Sequence, residues 1–322
     1  MHVQPTWASL LLAGVAVMMP EAVHAQDGLL PPGYTGNLVR FGEDMERGSA
    51  APSFRTRHEE GAPFSGAIID PLRVHHAHIE DEQRLNLFFA DDARTADGRS
   101  PDAFMNSVEL AVTWDEHFRW GSEVIIPFTT AGHSRDYTVG DIEFQPLKYA
   151  LVNQPETIWT FVLGFTLPTG SERQGVGDGN TVFEPHLFFD QAWDNWFLGV
   201  NLVPFWSLGP EHGSGFEYGL VLSYSFIEWE RTKDQTFAPT KPNQAIVPSI
   251  SLEVLGEQVL RGPEQGESVL SLLPGLNLWN PASGWTVRFG VEVPLSEDRE
   301  SDIVFMFQIG NHLDWKKLFG LR

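Results

Sequence analysis

The feature of this chain that most limits its fold is a hydrophobic period of two, repeated in segment after segment from residue 84 onward. Trp159, Phe161, Leu163, Phe165 and Leu167 share one parity, with Thr160, Val162, Gly164, Thr166 and Pro168 on the other. Trp196, Leu198, Val200 and Leu202 repeat the pattern against Phe197, Gly199 and Asn201. Phe216, Tyr218, Leu220, Leu222 and Tyr224 do so against Glu217, Gly219, Ser223 and Ser225, and Ile303, Phe305, Phe307 and Ile309 close the series. Successive side chains of a strand point to opposite faces, so each segment has one apolar and one polar face.

The pattern predicts strands at 84–90, 106–114, 118–128, 140–151, 158–168, 181–193, 196–208, 216–228, 246–255, 268–278, 285–294 and 301–315. Most run to about ten residues, longer than soluble strands and long enough to cross a bilayer when tilted. The connections 115–117, 152–157, 194–195 and 279–284 are short, whereas 91–105, 129–139, 169–180 and 256–267 are long and charged. Short inner turns and long outer loops are a property of outer-membrane barrels. Only 229–245 breaks the alternation. The expected fold is therefore all-β: a transmembrane antiparallel up-and-down β-barrel of about twelve strands.

Composition would otherwise suggest a soluble acidic protein. The chain has 322 residues, a net charge of −22 and no cysteine, and its mean hydropathy is −0.17. That charge argues against nucleic acid as a partner, and the lack of cysteine removes disulfides, thiolate metal sites and cysteine nucleophiles. The 11 tryptophans resolve the conflict. Trp114, Trp120, Trp159, Trp193, Trp196, Trp229, Trp279, Trp285 and Trp315 fall near the short-turn ends, as an interfacial aromatic girdle requires. Trp206 alone sits at the other end.

The predicted organisation is a signal peptide over 1–25, an irregular periplasmic leader or lumen plug over 26–73, and the barrel over 74–322. Residues 10–19 form an apolar stretch of signal-peptide length, with small Val23 and Ala25 before a cleavage point at Gln26. A plug would have Phe64, Ile68 and Ile69 as its apolar anchor. Pro146, Pro185, Pro204, Pro248 and Pro274 lie inside expected strands, where a missing N–H breaks the ladder. At Pro146 the apolar parity flips between Phe144 and Leu147, which predicts a β-bulge at Gln145–Pro146.

The stretches 140–151 (GDIEFQPLKYAL) and 165–170 (FTLPTG), with the glycine-rich 175–180, resemble the outer-membrane β-barrel family associated with the meta-pathway of phenol degradation, a transporter-like family. The likeness covers residues 75–315 and implies passage of small, often aromatic, compounds, with no catalytic residues. Gln308, Gly310, Leu313 and Trp315 also resemble the barrel-assembly signal of outer-membrane proteins, followed here by Lys316 to Arg322. That implies the barrel-assembly machinery as a partner.

Inward parity collects the acids Glu109, Glu123, Asp141, Glu143, Glu184, Asp190, Glu217, Glu253 and Glu292, and the bases Arg84, Arg119, Lys148 and Arg288. The excess of acids predicts a lumen for cations or neutral solutes; alternatively these charges pair across strands and fill a narrow barrel. Lys148 is expected beside Asp141 and Glu143, and Glu184, His186 and Asp190 are expected to share one polar network. His76 and His78, with Glu80 to Glu82 next to them, are the weak metal candidates, and a solvated rim before the first strand is the expected setting. No cofactor is expected, and no GxSxG, HExxH or P-loop occurs. The loop acids Glu297, Asp298 and Glu300 could bind cations that bridge lipopolysaccharide.

The function read from the sequence is an outer-membrane channel for passive passage of small solutes, hydrophobic or aromatic, rather than an enzyme. A closed structural or adhesive barrel is the alternative. An outer-membrane lipid hydrolase is the weaker one, since the lipid-facing parity carries almost no Ser or His.

Overall fold

A computed structural model describes residues 71–91, 103–115, 118–129, 138–154, 156–172, 176–177, 179–193, 195–209, 213–227, 245–280, 284–298 and 301–311. The signal peptide, Phe64, Ile68, Ile69, Trp229, Trp315, Leu313 and Glu300 lie outside the described residues.

Thirteen strands follow in chain order: β1 (Glu82–Asp91), β2 (Ala103–Thr113), β3 (Trp120–Thr129), β4 (Thr138–Val139), β5 (Ile142–Asn153), β6 (Thr157–Leu167) and β7 (Val182–Trp193), then β8 (Trp196–Ser207), β9 (Ser214–Ser225), β10 (Val247–Arg261), β11 (Ser268–Trp279), β12 (Trp285–Pro294) and β13 (Ile303–Asn311). Strand β4 is a two-residue bridge on the end of β3. The other twelve pair antiparallel with their chain neighbours, and β1 pairs with β13 from Gln83↔Asn311 to Asp91↔Ile303. The sheet is thus a closed twelve-strand barrel with one extra short strand, as the period and connection lengths predict.

Closure leaves no open edge, so the backbone can satisfy its hydrogen bonds without water. Outside, the barrel presents a belt of exposed large apolar residues, among them Leu85, Phe89, Phe161, Leu222, Leu252 and Phe305. Such a belt on a closed barrel belongs in lipid. Trp114, Trp120, Trp193, Trp196 and Trp285 are 40% to 49% exposed at the short-turn end, and Trp159 lies beside Phe189 on the outer face. Trp279 departs from the girdle. It is buried against Ile227 and Val247, because β11 turns its odd residues, Leu273 and Asn277 included, inward.

The prolines sit where the ladder can spare a donor. Phe144↔Phe165 and Leu147↔Leu163 bracket a bulge in which Gln145 and Pro146 oppose Gly164 alone. A second irregularity follows between Ala150 and Val152. Between Phe183↔Trp206 and Leu187↔Leu202 the β7–β8 pairing lapses, and the constant register puts Pro185 opposite Pro204 there. Two missing donors therefore share one break. Pro274 lies in a similar lapse between Leu272↔Val293 and Gly275↔Gly290, and Pro248 lies just before the β9 pairing begins at Ser249.

Candidate functional site

The site is the lumen. Residues 71–81 are not part of the barrel wall, as the predicted boundary at 74 would have it; they cross the interior as a strap and turn into β1 at Glu82. Its path follows from what each residue meets. Leu72 lies on the β10–β12 side at mid-height, Val74 and Ala77 pack with Phe188, Phe197 and Val221, and Ile79 reaches the short-turn end of β3. Leu72, Val74, Ala77 and Ile79 are all at most 5% exposed.

Glycines at inward positions make room for this segment. A Cβ at Gly290 would collide with Leu72 Cδ1, and one at Gly275 would lie 2.7 Å from the same atom. A Cβ at Gly219 would lie 2.9 Å from Val74 Cγ2, and one at Gly121 would lie 2.8 Å from Ile79 Cγ2. Real side chains do not approach so closely, so the wall has notches where the strap has apolar side chains.

Polar anchors fix the rest. The Glu253 carboxylate accepts the backbone N–H groups of Leu72 at 2.6 Å, Arg73 at 2.9 Å and Val74 at 2.8 Å. Gln308 donates to the Leu72 carbonyl at 2.7 Å. Asp190 Oδ2 accepts from Ala77 N at 2.7 Å and from His78 Nδ1 at 3.0 Å, while the Thr160 hydroxyl donates to the Ala77 carbonyl. At the far end Asp81 Oδ1 accepts both the N–H and the hydroxyl of Thr113, at 2.6 and 2.9 Å. Backbone N–H groups buried in a strap with no ladder need such partners.

Around the strap the short-turn half of the lumen is filled by ion pairs. Lys148 Nζ is 2.5 Å from Glu123 Oε2 on β3, rather than beside Asp141 and Glu143 as predicted. The bulge at Pro146 turns Lys148 inward toward that neighbour. Arg84 lies between Glu82 at 2.6 Å and Glu109 at 3.3 Å, and Arg288 reaches Glu82 at 3.1 Å. These charges are all at most 8% exposed and pair across strands, the filled-barrel arrangement.

The outer half is different. Glu143 accepts from Gln145 at 2.6 Å, Glu184 accepts from Thr166 at 2.9 Å, and Glu217 is exposed opposite inward-facing Glu257. Glu292 lies 3.6 Å from Arg73 of the strap. The mouth is acidic. Glu82 and Glu257 were missed by sequence reasoning: Glu82 precedes the predicted start of β1, and Glu257 follows the predicted end of β10. The longer observed strands bring both onto inward parity.

Two predicted lumen residues lie elsewhere. Arg119 is exposed in the tight connection before β3, where Asp115 Oδ1 accepts its N–H at 2.8 Å. Asp141 belongs to the outer loops, accepting from Gly170 N at 2.7 Å. Glu184, His186 and Asp190 share a face but not a network. His186 lies edge-on to His75 and Phe188, with ring centroids 5.9 and 5.2 Å apart, and Asp190 holds the strap. The histidines at 76 and 78 are not on a solvated rim: they are 7% and 0% exposed inside the lumen. Their rings stack at 3.8 Å, and with Glu80 they form a cluster whose ligand atoms lie within 4.8 Å of one another.

No family model matches the chain, and no curated protein matches it. Among solved structures it is similar to an outer membrane channel from Pseudomonas putida F1, with TM-score 0.53 and 13% identity over 76% of this chain and 99% of that one. The NanC porin gives TM-score 0.46 and 8% identity, covering 72% of this chain and 98% of that one. The KdgM porin gives 0.41 and 11%, covering 71% and 98%. The first likeness is one of fold. With the apolar belt and the closed twelve-strand wall, it makes this chain an outer-membrane barrel protein.

Proposed function

We propose that this barrel is a channel for passive passage of small solutes, hydrophobic or aromatic, and that the strap 71–81 closes its short-turn half until it is displaced. The observation that carries the reading is how the strap is held: non-covalently, through backbone donors on Glu253 and Asp190 and apolar side chains in glycine notches. A segment held by hydrogen bonds and packing alone can leave and return without breaking a covalent bond. Phe88, Phe188 and Phe197 line the interior beside it, which suits aromatic solutes, and the acidic mouth disfavours anions. The resemblance to the phenol meta-pathway barrels and the likeness in fold to the Pseudomonas outer membrane channel point the same way.

A specific observation favours a second reading, a permanently closed structural barrel: the buried ion pairs Lys148–Glu123 and Arg288–Glu82 fill the space beside the strap. Planar-bilayer recording separates the two. The channel reading expects brief openings in the intact protein, frequent ones when the strap anchors are weakened, and solute uptake into liposomes above that of protein-free vesicles. Background conductance in both proteins would leave the closed barrel standing.

A further inference from the structure

We propose that His76, His78 and Glu80 bind one divalent transition-metal ion of the zinc class, carried on the strap inside the lumen. The inference stands whether or not the barrel conducts. It starts from the ring nitrogens that are already committed. His76 Nδ1 faces the His78 carbonyl at 3.2 Å, and His78 Nδ1 faces Asp190 Oδ2 at 3.0 Å. A carbonyl or a carboxylate oxygen only accepts, so both Nδ1 atoms carry a proton, which leaves each Nε2 either to carry a second proton or to offer a lone pair.

Those two Nε2 atoms meet the same carboxylate oxygen. Glu80 Oε1 is 3.3 Å from His78 Nε2 and 3.9 Å from His76 Nε2. Lone pairs facing a carboxylate in a site 0% to 7% exposed repel one another unless a cation lies between them. Only a proton or a metal ion fits. In tetrahedral zinc sites nitrogen and oxygen ligands at about 2.0–2.2 Å lie roughly 3.4 Å apart, so the Glu80–His78 pair is at ligand separation, and His76 joins the set by rotating out of its stack on His78, which turns its in-plane lone pair toward the same ion.

The surroundings match a metal site as well. Metal-bound histidines commonly donate their second N–H to a carboxylate or a backbone carbonyl, which fixes the ring, and here one histidine has each. Two imidazoles and one carboxylate suit zinc or copper(II), whereas calcium and magnesium take oxygen alone. One ion would clip residues 76–80 into the bend that presents Ala77 and His78 to Asp190.

The experiment uses the full chain, purified in detergent, stripped with a chelator, loaded with Zn²⁺ and desalted. Mass-spectrometric metal analysis should find one Zn²⁺ per chain, and Co²⁺ loading should produce visible d–d absorption. Glu80→Gln and His76→Asn should each weaken Zn²⁺ binding at least tenfold in a chelator competition. His75→Ala, next in sequence but outside the cluster, should retain it. Heat-modifiable migration on a denaturing gel reports barrel folding, and the two ligand variants back each other up should one fail to fold. Uptake well below one equivalent, which is the shared-proton alternative, overturns the proposal. So does stoichiometric uptake that both ligand variants retain or that His75→Ala abolishes.

Discussion

Replacing Glu253 with glutamine is the sharpest test of how the strap is held. The carboxylate accepts three backbone N–H groups, from Leu72 on Oε1 and from Arg73 and Val74 on Oε2. An amide of the same shape keeps one acceptor. Placed at Oε2, its oxygen still receives two donors, but its NH₂ then points at the Leu72 N–H. One bond to a charged acceptor is lost, worth about 1.5–3 kcal/mol, and the other two fall to neutral strength, near 1 kcal/mol each. The strap is therefore weakened by about 3–5 kcal/mol. At a factor of ten per 1.4 kcal/mol, its detached population rises by roughly two to three and a half orders of magnitude. The wall is spared, since Glu253 keeps its backbone partners Leu273 and Val221. Hydrogen exchange read by mass spectrometry should speed up by that factor for the amides of 72–74, while β10 stays protected and heat-modifiable migration is unchanged. Unaltered exchange at 72–74 would refute the three-donor anchor and, with it, the reading of the strap as a wall-held closure.

Gly290→Val should dislodge the strap by driving a side chain into Leu72, and Leu72→Ala should relieve it; exchange at 72–74 in the double variant should return toward that of Leu72→Ala alone. Lys148→Met strands the buried Glu123 carboxylate and should cost about 3–5 kcal/mol, with most of that recovered by adding Glu123→Gln; denaturant midpoints of the refolded barrel in detergent measure it. Trp285→Phe should remove emission that brominated lipid quenches, whereas Trp279→Phe should leave the quenchable fraction unchanged because that indole faces inward.

The wall was legible in the sequence because its physics is local and periodic. A strand that meets lipid on one side and a lumen on the other must alternate, and the twelve predicted segments coincide with the twelve long strands to within a few residues at most ends. The bulge at Pro146 was legible for the same reason: an extra residue must flip the parity. The strap had no such signature. Its partners lie far away in the chain, with Glu253 181 residues from Leu72 and Asp190 113 residues from Ala77, and no period marks a segment whose contacts are spread over β2, β3, β6, β7 and β9 to β13. Trp279 misled because its end position was weighed above its parity, which it shares with inward Leu273 and Asn277. Arg119 misled because strand parity was carried into a turn, where the Asp115 carboxylate sets the direction of the chain. Glu123 and Lys148 were both placed inward, but their pairing needed the register between β3 and β5, which composition does not encode.

The anchors also imply an order in which the strap comes away. Its downstream end is continuous with β1, and Asp81 is clamped by two donors from Thr113. Its middle is held by Asp190 at two points and stacks within the His76–His78 pair. The upstream end at Leu72–Val74 is held by the Glu253 carboxylate, the Gln308 amide, the Arg73–Glu292 contact and the seated side chains of Leu72 and Val74. Because the Asp81 end is covalently continuous with the wall, detachment among the described residues is expected to begin at Leu72 and run toward Asp81, and the space freed first then lies against Gly275 and Gly290, beside Leu273 and Met306. That is apolar surface, and it would open before any of the buried ion pairs on the β1–β5 side had to break. Exchange rates that fall steadily from Leu72 to Asp81 are the expected record of this order. A single common rate across the segment would mean instead that the strap leaves as one unit.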